Sequence, residues 1–132
     1  MIAAGTIAWA SAAPGFRLPG PHPVLVVRSF PNGNVSVVFV THSGDLMRVG
    51  LPLRRRDLPS AFRERGGPLT DADGVLGLID HRGHQCILIA EPAGTDRLLV
   101  GATEIRLSHV VQLPATEWEP LRFRIRSALG LP

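Results

Sequence analysis

The sequence predicts a mainly β protein, a small barrel or sandwich of short strands. Three observations carry that prediction. Turn-formers cut the chain at short intervals, with 14 glycines and 12 prolines among 132 residues. Between the cuts, apolar residues alternate or run in blocks of strand length. The stretch from His22 to Leu53 also reads as two apolar strands around Asn32-Gly33, a strong hairpin signal because a type I′ turn needs two residues that tolerate positive φ.

A first strand is expected over Thr6 to Ala12. The apolar start MIAAGTIAWASAAPGF raises the question of a signal peptide, but it lacks a basic leading region and Gly5, Thr6 and Ser11 interrupt it. Pro14 to Pro21 then reads as a loop whose prolines cannot donate to a ladder. The central hairpin pairs Val24–Phe30 with Val35–His42. Both of its faces are apolar, with Val24, Val26, Val35, Val37 and Phe39 on one and Leu25, Val27, Val38 and Val40 on the other. A pair buried on both sides belongs inside a barrel or sandwich.

A strand from Leu46 to Leu53 follows, and then a basic insertion over 54–74. Within the insertion, Asp57 to Arg65 suits a short helix capped by Asp57 and stopped at Gly66-Gly67. Val75–Asp80 and Gln85–Glu91 are expected as a hairpin about His81 to His84. Strands near Arg97–Ala102 and Glu104–Leu113 come next. The tail over 117–129 fits two patterns. Thr116 to Glu119 forms a capping box ahead of a helical stripe, while Leu121, Phe123 and Ile125 alternate with arginines as in a strand. The helix is preferred, although Pro120 would sit within its first turns.

The chain is long enough for one domain with an ordinary core, spanning 1–132. It is 45% hydrophobic and 19% charged, a globular composition with a formal charge of +3. All 14 basic residues are arginine, so an anion meets guanidinium forks suited to bidentate phosphate contacts. The lone Cys86 excludes an internal disulfide and fits a reducing, cytoplasmic setting. No stretch approaches the roughly 18 apolar residues of a membrane span, so no membrane partner is expected.

No Walker loop, dinucleotide fingerprint or nucleophile elbow is present, which argues against those chemistries. Asp80 to Cys86 gathers ligand-type side chains but too few converging donors for zinc. Asp71 to Gly74 starts like a calcium loop and lacks its closing ligands. Both read as turns, and no metal or other cofactor is expected. Arg54, Arg55 and Arg56, with Arg63 and Arg65, form the densest positive run. It is either a solvated face or a surface that tracks phosphates.

The strand ends hold the remaining candidate. A turn closing at residues 32 and 33 sets Phe30 opposite Val35, Val24 opposite Thr41 and His22 opposite Ser43, and opposed residues share a sheet face. His22, Thr41 and Ser43 would then project from one side of the open end, with Arg28 farther along it. An imidazole facing hydroxyls, with arginines near enough to hold a phosphate, suits RNA cleavage by the substrate's own 2′-hydroxyl. The alternative is that these are ordinary turn-formers.

Gly5-Thr6-Ile7-Ala8-Trp9, the Gly/Pro-rich loop, His22-Pro23-Val24-Leu25-Val26-Val27 and Val37-Val38-Phe39-Val40-Thr41-His42-Ser43 resemble the MazF/PemK toxin endoribonucleases. Glu104 to Leu113 resembles a later strand of that family. The resemblance covers roughly the first 53 residues and, more weakly, the C-terminal third. It implies a small SH3-like barrel that forms a homodimer, cuts single-stranded RNA without a metal and is silenced by an antitoxin protein. The family's catalytic arginine falls on His22, and its hydroxyl on Thr41 or Ser43. Arg17 or Arg28 is the candidate to replace that arginine's contact with RNA, and Arg54, Arg55 and Arg56 are RNA-binding candidates from the basic run alone. The chain departs from the family in its histidine for arginine, in lacking the proline of the Pro-x-Thr-Ser motif, and in the 54–74 insertion. A second reading is therefore a catalytically silent barrel serving as an interaction or assembly module in a mobile element or virus particle.

Overall fold

A computed structural model describes residues 2–10, 22–41, 51–53, 74–76 and 87–128. Its elements are β1 (Thr6–Ala10), β2 (His22–Ser29), β3 (Val35–Thr41), β4 (Leu51–Leu53), β5 (Gly74–Leu76), β6 (Leu88–Pro92), β7 (Arg97–Val100), β8 (Thr103–Gln112) and α1 (Ala115–Ala128). The chain divides into two units, Met1–Phe39 with Ile87–Gln112, and Val40–Cys86 with Leu113–Pro132.

In the first unit the strands run β2-β1-β8-β7-β6-β3, and β3 pairs back onto β2, closing an antiparallel six-stranded barrel. Closure removes the exposed edges that an open sheet of such apolar strands would present. The mainly β class expected from the sequence holds, and the architecture is consistent with a small SH3-like barrel. Alternation fills the interior: Ala8, Ala10, Val24, Val26, Val35, Val37, Ala90, Leu98, Ile105 and Leu107 form one core cluster, with Ile2 packed among them. Ile7, Leu25 and Val38 point the other way and are also buried, so the β1-β2-β3 wall is covered on both sides. That two-sided burial is what the hairpin's apolar faces require.

The hairpin turn differs from the expected one. The Phe30 amide donates to the Asn34 carbonyl (2.8 Å) and the Gly33 amide to the Phe30 carbonyl (2.9 Å), leaving Pro31-Asn32-Gly33 as a three-residue loop. Only Gly33 has positive φ, at 90°. Asn32 instead accepts the Asn34 amide on its Oδ1 at 3.0 Å, an Asx turn. Register shifts accordingly. Arg28 pairs with Ser36 and Ser29 with Val35, and beyond an irregularity at Val27, Val26 pairs with Val37 and Val24 with Phe39. Val24 therefore does not face Thr41, nor Phe30 Val35, and the basis for setting His22 opposite Ser43 is gone.

β8 carries a second irregularity. Ile7 pairs with Val111 but Trp9 pairs with Ser108, so His109 and Val110 together oppose Ala8, and His109 lies at φ 53°. This is a bulge with its left-handed residue supplied by histidine rather than glycine. At the far end of β8, the Thr6 hydroxyl and Gln112 Oε1 lie 3.0 Å apart, while Gln112 Nε2 donates to the Ala4 carbonyl at 3.1 Å, fastening the chain start. β7 and β8 join through Gly101-Ala102. Gly101 has φ 60° in the first turn position, as a type II′ hairpin demands.

In the second unit, β5 pairs with the last residues of β3 (Val40 with Leu76, Thr41 with Val75) and with β4. Among the described residues β5 and β6 do not pair with each other, contrary to the expected hairpin, because both lie along β3. The expected turn at His81 to His84 and the short helix in the 54–74 insertion lie outside the described residues.

The tail is helical. Trp118, Leu121 and Ile125 are buried at helical spacing, while Phe123, which a strand would place beside Leu121 and Ile125, is 72% exposed. The helix starts earlier than the capping box implies. The Glu117 and Trp118 amides both donate to the Pro114 carbonyl at 2.9 Å. Glu119 is thereby released to pair with Arg122 at 3.2 Å. No helix among the described residues is long and apolar enough to cross a membrane.

Candidate functional site

His22 is the first residue of β2 and lies half-buried opposite Ala10, the last residue of β1. Ala10 in turn pairs with Leu107 on β8. His22, Ala10 and Leu107 thus form one row across three strands where two of those strands end. By alternation with Val24 and Val26, His22 shares the core-facing side of β2, so its imidazole belongs to the mouth of the barrel rather than its outer wall.

The other predicted residues divide. Arg28 does not share that side: the irregularity at Val27 sends it to the face of its partner Ser36, where it is exposed and its guanidinium lies 5.0 Å from the Phe30 ring centroid. This is a cation–π contact at the opposite end of β2 from His22. Thr41 closes β3 opposite Val75. Ser43, Arg17, Arg54, Arg55 and Arg56 lie outside the described residues. Of the predicted set, then, His22 and Arg28 are not brought together.

The row at the barrel mouth has instead a neighbour that the sequence reading passed over. One residue beyond Leu107, Arg106 stands directly opposite Arg97 of β7, both on the outer face and exposed. The Leu107 amide donates to the Asp96 carbonyl at 2.6 Å, tying the start of β7 to the same row. Glu104 lies between the arginines, with Oε1 3.4 Å from Arg106 Nε and Oε2 3.9 Å from Arg97 Nη1, and Asp96 Oδ1 is 3.8 Å from Arg97 Nε. With neighbouring strands about 4.8 Å apart, Arg106 is about 10 Å laterally from the His22 strand. The signal was present: Arg97-Leu98 and Glu104-Ile105-Arg106-Leu107 alternate cleanly. Reading it required knowing that the chain turns at Gly101-Ala102.

Among the described residues no three His, Cys, Asp or Glu side chains are grouped to hold a metal, and Asp80 to Cys86 lie outside them. What this end of the barrel offers is one imidazole at a strand end on the core-facing side, while the paired guanidinium groups lie on the outer face two and three strands away, against Glu104 and Asp96. An imidazole in that position is a group able to move a proton. Comparison with protein-family models, with curated proteins and with solved structures finds no match.

Proposed function

We propose that this protein is a metal-independent endoribonuclease of the MazF/PemK toxin kind, cutting single-stranded RNA at the barrel mouth with His22 as its proton-transfer group. The observation that carries the reading is the position of His22, half-buried at the first residue of β2 in a row with Ala10 and Leu107. The closed barrel and the short motifs of β1, β2 and β3 support it as well. A homodimer and a silencing antitoxin belong to the same proposal through the family resemblance.

The 2′-oxygen attacks the adjacent phosphorus as a base takes its proton. The P–O5′ bond breaks as an acid returns a proton to the departing oxygen, leaving a 2′,3′-cyclic phosphate and a 5′-hydroxyl. Imidazole serves either proton transfer, and one positioned acid or base contributes about 10²–10⁴-fold. Purified protein is expected to cut single-stranded RNA in the presence of a chelator, and His22→Ala to lose at least about a hundredfold in rate. Intact RNA with the wild type, or equal cleavage by the variant, refutes the proposal.

A further inference from the structure

We infer that the outer face of β2, β3 and β6 is the surface at which two copies of this chain meet, with Arg28 of each protomer set against Glu91 of its partner. The inference rests on the homodimer in the reading above and names its interface. It uses nothing from the chemistry of His22.

Arg28, Ser36 and Ile89 form one row across the three strands. Val35, Val37 and Ala90 face the core, so by alternation Ser36, Ile89 and Glu91 face outward. Arg28 follows its partner Ser36, and its guanidinium over the Phe30 ring puts Phe30 on the same face. The Phe30–Asn34 hydrogen bond and the Val35–Ala90 pair set Phe30, Asn34 and Glu91 in the next outward row. Ile89 is 53% exposed, and opposite charges flank it. Arg28 and Glu91 are both exposed, and neither enters an ion pair among the described residues, whereas Arg97, Arg106 and Arg122 each have a carboxylate beside them. The register supplies the symmetry. With strands about 4.8 Å apart and about 3.3 Å per residue, Arg28, Ile89, Glu91 and Phe30 mark the corners of a rectangle of about 10 by 7 Å. Arg28 and Glu91 occupy opposite corners. A twofold axis lying along the face and bisecting the line between them exchanges those corners between protomers. It passes within about 2 Å of both Phe30 and Ile89, so each of these meets its own copy. One contact thus gathers apolar side chains at its centre and forms an Arg–Glu pair on either side, the self-complementary pattern of an isologous interface. A patch with one charge of each sign around an apolar centre favours a surface of its own kind over a polyanion.

Sedimentation velocity of the full chain, over a range of concentrations at low and high salt, reads the monomer–dimer equilibrium. The wild type is expected to dimerise, more weakly at high salt. Arg28→Glu and Glu91→Arg each place like charges together at two symmetry-related contacts and weaken the dimer at least about tenfold. Mixing the two variants restores it, because both contacts then join opposite charges, a rescue that misfolded chains cannot imitate. Ile89→Asp sets two carboxylates together at the axis and leaves a monomer. A monomeric wild type, a dimeric Ile89→Asp, or a mixture that dimerises no better than either variant alone overturns the inference. A monomeric wild type whose affinity for a single-stranded 2′-O-methyl oligonucleotide falls with Arg28→Glu overturns it too and gives the surface to RNA. Cleavage is scored separately. RNA cut by a chain that fails the mixing test leaves the ribonuclease reading standing, while rescue by mixing with RNA left intact removes that reading and keeps the interface.

Discussion

Replacing Leu98 with alanine tests the barrel and, through it, the placement of the arginine pair. Leu98 is 0% exposed and sits in the core cluster, opposite Ile105 on β8. Its neighbour Leu99 points to the other face, opposite Glu104, and is only half-buried. A closed barrel cannot collapse freely onto a missing side chain, because hydrogen-bonded strands hold the walls apart. Leu98→Ala should therefore cost transfer energy plus a cavity term, about 3–4 kcal/mol on the scale of buried leucine truncations. Leu99→Ala removes less buried area and leaves an open surface, for about 1 kcal/mol or less.

Domains of this size hold about 5–15 kcal/mol in total, so the first variant takes a large share and the second a small one. Urea unfolding followed by tryptophan fluorescence, with both variants fitted at a common slope, measures the difference. Equal losses, or a larger loss at Leu99, would mean that β7 presents its other face to the core. Arg97 would then face inward with Leu99, and the Arg97–Arg106 pair would leave the outer face.

Two further substitutions probe the local geometry. Gly33→Ala should destabilise the protein by about 1 kcal/mol. The methyl group meets nothing within 4 Å, so the penalty comes from φ +90° alone, partly offset by a less flexible unfolded chain. Gly33→Asn should cost less, and urea midpoints of the two variants check the order. Pro120→Ala should stabilise by about 1–2 kcal/mol, since an interior helical proline lacks the amide that would reach the Thr116 carbonyl. A rise in Tm is expected, and a fall would mean that the helix does not continue through this position.

Much of the barrel was legible because its signals are local. Val24, Val26, Val35, Val37 and Phe39 lie on the side predicted for them, and the side-chain period of two survives a register change of two residues. The site was less legible because it depends on register, which accumulates every one-residue insertion between turn and strand end. Asn32-Gly33 does mark the turn. The loop, however, spends Pro31 as well, and Val27 adds an irregularity that no residue type announces. Together these moved Arg28 to the outer face and Phe39 opposite Val24. The helix was legible from its stripe, while its start was not, because Pro114 supplies the accepting carbonyl and Thr116 falls inside the first turn.

The bulge at His109 decides what the barrel mouth presents. Without it, the register of Ile7 with Val111 would continue and set Ala10 opposite Ser108. Ser108 and Arg106 would then take the core-facing side, and through the β7–β8 ladder Arg97 and Glu104 would exchange places with Leu98 and Ile105. Burying those charges would cost far more than any local strain. A left-handed non-glycine residue costs about 1–2 kcal/mol, and histidine is among the types that tolerate it. In exchange, Leu98, Ile105 and Leu107 enter the core, each stabilising it by about 1.5–3 kcal/mol. The apolar pattern of β7 and β8 thus demands one extra residue in β8, and the same insertion turns the arginine pair outward beside the row that holds His22.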